Sequence, residues 1–241
     1  MADLLSDLLL SDVQLNDVLA SVPANELEQL RPYMRRVSYA RDEEIHAPGA
    51  MITDVHFPLS GMLSIIAYLQ TGQSVEVGSV SSEGFTGAPF HRGVRNLPYR
   101  IAAQIAGEGI AIDAERFADV VERSEPVRQA TQRYARALLT LMAQSTACNG
   151  AHGVEQRLAK WLLFSRDAAR SDDLDLTQEY LATMIGVQRP TVTLAAGNLQ
   201  QQGIISYRRG KIRILDVQRL IERSCECYET VRSEVRHLMA A

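Results

Sequence analysis

The sequence predicts an α+β chain with an antiparallel β region first, one long helix next, and two packed helices with a β-hairpin last. Short apolar segments separated by turn residues run from 35 to 113 at a spacing of roughly ten residues, which is typical of an antiparallel sandwich or barrel. A seven-residue apolar repeat beginning at Val127 predicts the long helix. Two helical patterns and a hairpin pattern fill residues 176–215.

The composition is that of an ordinary globular protein. Of 241 residues, 46% are hydrophobic and 22% are charged, and the net charge of −4 gives no overall attraction to nucleic acid. No apolar run reaches the length of a membrane helix, so we expect no membrane partner and a cytoplasmic location. Cys148, Cys225 and Cys227 form no disulfide framework, which fits a reducing compartment.

The sequence pattern changes along the chain from strand-like to helical, and these changes divide it into three regions. Residues 1–125 contain short N-terminal helices and the β region, residues 126–152 form the long helix and a hinge at Asn149 to Gly153, and residues 153–241 form the C-terminal domain. In the β region, turn residues such as Pro48-Gly49 and Thr71-Gly72 separate the strands.

The segment 176–215 predicts two helices joined by a tight turn. Thr177 is placed to cap the first helix, and Gly186 ends it because glycine adopts a left-handed backbone without a Cβ penalty. Pro190 falls in the first turn of the second helix, where its missing N–H costs nothing, and Gly203 stops that helix. The small residues Ala195 and Ala196 allow the close helix approach of a helix-turn-helix.

Basic and polar residues concentrate on this segment. Glu179 is the only acid between 177 and 215, whereas five basic residues lie there, so phosphate is the expected partner. A recognition helix and a basic hairpin, or wing, would then bind double-stranded DNA, and a hairpin of helices with a solvated basic turn is the alternative. The candidate DNA-binding residues are Thr177, Gln178, Gln188, Arg189, Thr191 and Thr193 on the helices and Arg208, Arg209 and Lys211 on the wing.

The segment resembles the winged helix-turn-helix of the CRP/FNR superfamily of bacterial transcription regulators. The family pattern T-x-x-x-L-A-x-x-x-G-x-x-R-x-T-V is filled here by Thr177, Leu181, Ala182, Gly186, Arg189, Thr191 and Val192. The resemblance implies base-reading positions at Arg189, Pro190 and Leu194, of which only Arg189 keeps the usual chemistry. It also implies RNA polymerase as a further partner.

The β region resembles the cyclic-nucleotide-binding jelly roll of the same family. The phosphate-binding Arg-Ser pair of that jelly roll would fall on Leu97 and Pro98, so cyclic AMP is disfavoured and the effector, if any, is another small molecule. Glu83, Gly84, Arg95 and Arg100 are candidates for a different effector pocket, with a solvated loop as the alternative.

The repeat in the long helix predicts a homodimer. Its candidate interface residues are Val127, Thr131, Tyr134, Leu138, Leu141, Ser145 and Cys148, which form one narrow seam, and the resemblance places the family's dimer axis there. An ordinary amphipathic helix packed on its own barrel is the alternative interpretation of the same pattern.

Metal binding and catalysis are not expected. Asp216 caps a last helix that carries Cys225 and Cys227, and residues two apart on a helix point about 200° away from each other, so these two cysteines cannot bind one ion together. The histidines show no H-x-x-x-H spacing, so no metal or cofactor is predicted. No nucleophile elbow, P-loop or dinucleotide fingerprint is found, so an enzyme is not expected. The sequence therefore favours a DNA-binding regulator, the alternatives being a cyclic-nucleotide-responsive regulator with a non-standard pocket or a sensor that acts through protein contacts without DNA.

Overall fold

The protein is described by a computed structural model that covers residues 11–87 and 96–240, with only the backbone for 238–240. The chain divides into two compact units. The first contains residues 1–65, 79–139 and 234–241, and the second contains residues 66–78 and 140–233. Within the described ranges, no helix has the length and apolar character needed to cross a membrane.

The β region forms two antiparallel sheets, which confirms the predicted α+β fold with an N-terminal jelly roll. One sheet has the order β1-β7-β3 and the other has the order β2-β6-β4-β5. The strands are β1 (Met34–Tyr39), β2 (Glu44–His46), β3 (Asp54–Pro58), β4 (Met62–Tyr68), β5 (Ser74–Val80), β6 (Arg100–Ile105) and β7 (Gly107–Asp113).

Aromatic rings form the centre of the first unit. Phe57 stacks on Phe85 with ring centroids 5.1 Å apart, and Phe117 meets both rings edge-on. Tyr134 packs against Phe85 at 4.7 Å. The long helix is therefore fixed to this core by its first half.

Two short helices, α1 (Asp17–Ala20) and α2 (Ala24–Leu30), lie at the start of the first unit, as the N-terminal pattern predicts. Asn16 is fully buried and connects three segments, because its amide donates to the carbonyls of Pro58 and Gly84 while its oxygen caps Leu19. A buried amide with all of these partners costs little desolvation energy.

The long helix is continuous. After α3 (Ala114–Arg123), which Asp113 caps by accepting from the N–H groups of Glu115 and Arg116, helix α4 runs through Glu125–Ala151. It stops at His152 and Gly153, where the predicted hinge lies, and α5 (Val154–Ala169) follows. Residues Leu158, Trp161 and Leu162 bury one face of α5.

The chain after α5 forms a winged helix-turn-helix and two further helices, the last of which belongs to the second unit up to residue 233 and to the first unit from residue 234. Its elements are β8 (Asp173–Asp175), α6 (Gln178–Ile185), α7 (Arg189–Gln201), β9 (Ile205–Arg208), β10 (Lys211–Ile214), α8 (Val217–Arg223) and α9 (Cys227–Ala240). The three strands pair in the order β8-β10-β9.

One expectation about the C-terminus is wrong. The sequence pattern suggests a single helix after Asp216, but the structure has α8 and α9 separated at residues 224–226. Ser224 takes an extended backbone with φ −74° and ψ 165°, and its hydroxyl donates to the carbonyl of Ile221. The extended backbone of Ser224 ends α8, and α9 begins at Cys227.

Candidate nucleic-acid interface

Helices α6 and α7 meet through the residues that the sequence indicates. The side chain of Thr177 accepts from the N–H of Tyr180, and Gly186 ends α6 with φ 69° and ψ 40°, so both boundaries have their expected causes. The faces that meet are buried and contain Leu181 and Ile185 on α6 and Val192, Ala195, Ala196 and Leu199 on α7. This packing leaves the opposite side of α7 uncovered.

The uncovered side of α7 carries polar side chains at its start. Arg189, Thr191 and Thr193 are all exposed, and so is Gln188, whose side chain makes no capping hydrogen bond. In a helix-turn-helix, these are the positions whose side chains reach base edges in the major groove. Amide and guanidinium groups here match the hydrogen-bonding patterns of adenine and guanine.

Gln178 connects the two helices on this face. Its side-chain oxygen accepts a hydrogen bond from the Thr193 hydroxyl at 3.0 Å and lies 3.5 Å from Nε of Arg189. Thr177 lies beside it, exposed at the start of α6. The side chain of Gln178 therefore lies next to both Thr193 and Arg189 on this face.

Leu194 also lies on the exposed side of α7. It is 71% exposed, more than any other large apolar side chain of the described residues. Burying an apolar group against the thymine methyl is a known way of reading a T·A pair. The resemblance marks this position, but the sequence-based set of candidate DNA-binding residues omits it because leucine makes no hydrogen bond.

The wing is a two-residue hairpin. Strands β9 and β10 pair from Ile205 with Ile214 to Arg208 with Lys211, and the turn residues Arg209 and Gly210 both have positive φ, at 50° and 79°. Two consecutive positive φ values match the right-handed twist of a hairpin. Arg208, Arg209 and Lys211 are all exposed at this tip.

Acids from β8 partly balance the wing. Lys211 Nζ lies 3.9 Å from Asp175, and Arg213 Nε lies 3.7 Å from Asp173. These two carboxylates precede residue 177, so the charge count of the segment 177–215 does not include them. The antiparallel pairing of β8 with β10 nevertheless brings them beside the wing. Among the residues that the structure describes, Arg208 and Arg209 form no ion pair and are the wing's uncompensated cations.

Arg157 fixes the end of α6. Its guanidinium donates to the carbonyl of Ile185 at 3.0 Å and to the side chain of Asn149 at 3.1 Å. The last carbonyls of a helix have no partner within the helix, so an arginine placed there stabilises the turn that follows.

Much of the seven-residue seam packs inside the protomer. Val127, Thr131 and Tyr134 are buried in the first unit and Cys148 in the second, while Leu138, Leu141 and Ser145 are only half-buried. The burial of Val127, Thr131 and Tyr134 in the first unit favours the alternative of a helix packed on its own barrel, whereas Cys148 packs beside Cys225 and Cys227. Leu139, at 69% exposed, lies on the open side of α4 and is absent from the seam.

The candidate effector residues do not come together as a pocket in the described structure. Gly84 lies under Tyr134 so closely that a Cβ at this position would collide with the ring, and Glu83 accepts from the N–H of Ser81. Burial raises the pKa of Glu83. Arg100 pairs with Glu44 on the neighbouring strand at 2.9 Å, and Arg95 lies outside the described residues.

The expectation that Cys225 and Cys227 point apart is wrong. Cys225 lies in the break before α9, so the helical angle between the two does not apply, and both side chains are buried next to Cys148. All three cysteines are free. A hydrogen bond from Cys225 holds the pKa of Cys148 well below that of a free thiol.

The comparisons with known proteins agree with this architecture. The sequence profile of the Crp-like helix-turn-helix domain matches residues 156–223. No curated protein matches the sequence. Helix α6, the turn, α7, the wing and α8 all lie inside the matched range.

Solved structures with this fold span almost the whole chain. A transcriptional regulator assigned to the CRP/FNR family from Eubacterium rectale is 19% identical, with a TM-score of 0.67, covering 88% of this chain and 95% of the other. A CRP/FNR-family regulator from Thermus thermophilus is 21% identical, with a TM-score of 0.66 and coverage of 81% and 98%. The c-di-GMP responsive global regulator CLP of Xanthomonas campestris is 17% identical, with a TM-score of 0.65 and coverage of 80% and 99%.

The chain combines two parts, a jelly roll and a winged helix-turn-helix that follows it. The chain carries a Crp-like helix-turn-helix domain and has the fold of the CRP/FNR transcriptional regulators. The Eubacterium rectale and Thermus thermophilus proteins with which it shares this fold are described as transcriptional regulators.

Proposed function

We propose that the protein is a cytoplasmic transcription regulator that binds double-stranded DNA through α7 and the wing. The observation that carries this proposal is the exposed start of α7 beside a wing with two uncompensated arginines. A core helix hairpin would not need a polar, uncovered face next to a cationic tip. The rest of the C-terminal domain has the charge and packing that hold this face in place.

Base reading falls to the first turns of α7. Arg189 faces outward with Gln178 beside it and can meet guanine O6 and N7 together. Gln188, Thr191 and Thr193 supply further hydrogen-bonding groups, and Leu194 supplies an apolar contact for a thymine methyl.

Phosphate binding falls to the wing. Arg208 and Arg209 have their full charge available to DNA, whereas Lys211 shares its charge with Asp175. Each cation that contacts a phosphate releases counterions, so it steepens the salt dependence of binding without selecting a sequence.

We place the dimer contact on the open side of α4 around Leu139. A leucine exposed to this extent in the middle of a long helix is the residue that a partner copy of the same helix would cover. Leu138, half-buried and next to Leu139 in sequence, would extend the contact. Leu141 points about 200° away from Leu139 on the continuous helix, and Val127 and Tyr134 serve the protomer's own core. A symmetric dimer of this kind binds an inverted repeat with half-sites about 34–36 Å apart.

The proposed signal is a small molecule other than cyclic AMP. Leu97 and Pro98 stand where the phosphate-binding pair would be, and Arg100 is engaged by Glu44. A protein with the same fold is described as c-di-GMP responsive, so the fold admits other effectors. Contact with RNA polymerase, which would convert DNA binding into regulation, is part of the same proposal.

Selection of bound duplexes from a random pool tests the DNA proposal. We expect an enriched inverted repeat, and Arg189→Ala should relax one base pair of each half-site at a cost of about 1–3 kcal/mol. An enriched motif that Arg189→Ala leaves unchanged would show that this arginine does not read bases.

A salt titration separates residues that bind DNA phosphates from residues that contact bases. Arg209→Gln should weaken binding to all sequences alike and flatten the slope of log K against log salt by about 0.9, the share of one neutralised phosphate. Asp175→Asn is the matched control of opposite sign, because removing this carboxylate frees the charge of Lys211 and should strengthen binding. Absence of duplex binding at every salt concentration would favour a sensor that acts through protein contacts.

A further inference from the structure

Four side chains of metal-binding type converge in the second unit. The ligand atoms of Cys148, His152, Cys225 and Cys227 all lie within 4.8 Å of one another. The Sγ atoms of Cys148 and Cys225 are 3.5 Å apart, and Sγ of Cys227 lies 3.6 Å from Nδ1 of His152. None of these residues takes part in the proposed DNA interface.

The local structure explains how four residues from distant parts of the sequence meet. Cys148 and His152 are four residues apart at the end of α4, so they face the same side. Cys225 lies in the break after α8, and Cys227 is the first residue of α9. Each pair therefore offers two ligands from a short, well-ordered stretch of chain.

The spacing fits a single tetrahedral ion. Zinc binds thiolate at about 2.3 Å and imidazole at about 2.0–2.1 Å, so two sulfur ligands at tetrahedral angles stand about 3.8 Å apart. The observed separation of 3.5 Å between Cys148 and Cys225 is close to that value. A [2Fe–2S] cluster carries its ligands in pairs on two irons and a [4Fe–4S] cluster carries one ligand on each of four irons, so either needs a wider ligand set than one whose atoms all lie within 4.8 Å.

A second layer of contacts orients the ligands. Nε2 of His152 lies 3.2 Å from a carboxylate oxygen of Glu226, which leaves Nδ1 turned toward Cys227. A carboxylate on the outer nitrogen of a histidine fixes its tautomer and raises its basicity in zinc sites. The side-chain amide of Gln144 donates to Sγ of Cys227 at 3.1 Å, as expected for a group that stabilises a thiolate.

The cysteines of this cluster are buried. Cys148, Cys225 and Cys227 are at most 3% exposed, while the side chain of His152 keeps 17% exposure. The three sulfurs are thus shielded from solvent, and the histidine edge gives an ion its route of entry.

We propose that Cys148, His152, Cys225 and Cys227 bind one Zn²⁺ ion in a closed structural site. On binding, each thiol loses its proton to solvent and the sulfur donates a lone pair to the ion. The ion ties the end of α4 to the junction between α8 and α9 and so braces the compact unit that carries the helix-turn-helix. Three thiolates and one imidazole, with no open position, match structural rather than catalytic zinc.

Metal analysis of the full-length protein purified under reducing conditions is the first test. We expect one Zn²⁺ per chain, and Co²⁺ added to the stripped protein should give the visible absorption of a tetrahedral cobalt–thiolate site. Iron with acid-labile sulfide, a Cys148–Cys225 disulfide in the reduced preparation, or no metal after Zn²⁺ is added back would each overturn the proposal.

Variants locate the site. Cys227→Ser should lose the ion and lower the thermal stability of the second unit, and zinc retained at full stoichiometry by this variant would refute the assignment. If Cys227→Ser fails to fold, a milder variant decides the question. Glu226→Gln leaves all four ligands in place and should weaken Zn²⁺ affinity about 10–100-fold.

Glu229→Gln is the control for Glu226→Gln. Its carboxylate is similarly exposed but faces Arg232, so its removal should leave Zn²⁺ affinity unchanged. Equal Zn²⁺ affinities for the wild type and Glu226→Gln, measured by competition with a chromophoric chelator, would contradict the proposed orientation of His152.

Discussion

A pH-dependent loss of stability is expected from the jelly roll because it holds two histidines in a largely buried, neutral state. His56 lies on β3 with its Nδ1 3.4 Å from the hydroxyl of Tyr39, and its ring is 5.6 Å from that of His46. Burial, and then the neighbouring His46, lowers the pKa of His56 to about 4, and burial also lowers the pKa of His46. Asp54 opposes this shift, whereas Arg35 adds to it.

The sign and size of the effect follow from proton linkage. The unfolded state takes up a proton on His56 near pH 6.5, whereas the folded state does so only near pH 4. The neutral histidine therefore contributes its full stability above pH 6.5, and this contribution is lost as the pH falls toward 4. Between pH 7 and pH 5, the loss from His56 alone is about 2 kcal/mol.

Calorimetry of the full chain at a series of pH values measures this loss. Trp161, the protein's single tryptophan, lies in the second unit, so its fluorescence assigns one thermal transition and leaves the other to the jelly roll. We expect the jelly-roll transition to fall by several degrees between pH 7 and pH 5, and His56→Gln to show a clearly smaller fall.

His237→Gln is the control, because this histidine is exposed near the C-terminus and its replacement should leave the pH dependence unchanged. Parallel pH profiles for the wild type and His56→Gln would refute the reasoning.

Two further predictions concern assembly and signal. Leu139→Glu should place a charge in the proposed dimer contact and give monomers in sedimentation, whereas Leu215→Glu, at another exposed leucine, should not; a dimeric Leu139→Glu protein would remove α4 around this residue from the interface. Calorimetric titration with cyclic AMP should show no saturable heat at micromolar concentration because Leu97 and Pro98 replace the phosphate-binding pair, and clear binding would overturn the pocket analysis.

The sequence specifies the winged helix-turn-helix in detail because its signals are local. A capping hydroxyl at Thr177, a left-handed glycine at Gly186 and a proline in the first turn of α7 each act within a few residues, and the structure confirms each boundary. The same holds for Asp216 as the cap of α8. Where one local cause decides the conformation, reading the sequence is sufficient.

Contacts between distant segments are harder to predict. The heptad in α4 correctly indicates an apolar face, but periodicity does not say whether that face meets another protomer or Phe85 of the same chain. The pairing of β8 with β10 likewise brings acids to the wing from outside the counted segment.

The cysteine cluster also joins distant segments, although the sequence contains one signal for it. Cys148 and His152 stand four residues apart at the end of α4, which is ligand spacing, but a search for paired histidines alone does not find it. The break between α8 and α9 is not visible in the apolar pattern, and it is at this break that Cys225 lies next to Cys148 and Cys227.

The conformation of the wing's hairpin turn sets an energy cost that depends on which residue stands at its tip. Arg209 holds a left-handed backbone, which for a side chain with a Cβ costs about 1–2 kcal/mol relative to the regular regions, and glycine or asparagine would relieve much of that cost. Replacing Arg209 by asparagine would thus give a more stable wing that holds DNA less tightly. Selection for thermostability alone would replace Arg209, so the stability of the wing and its affinity for DNA favour different residues at this position.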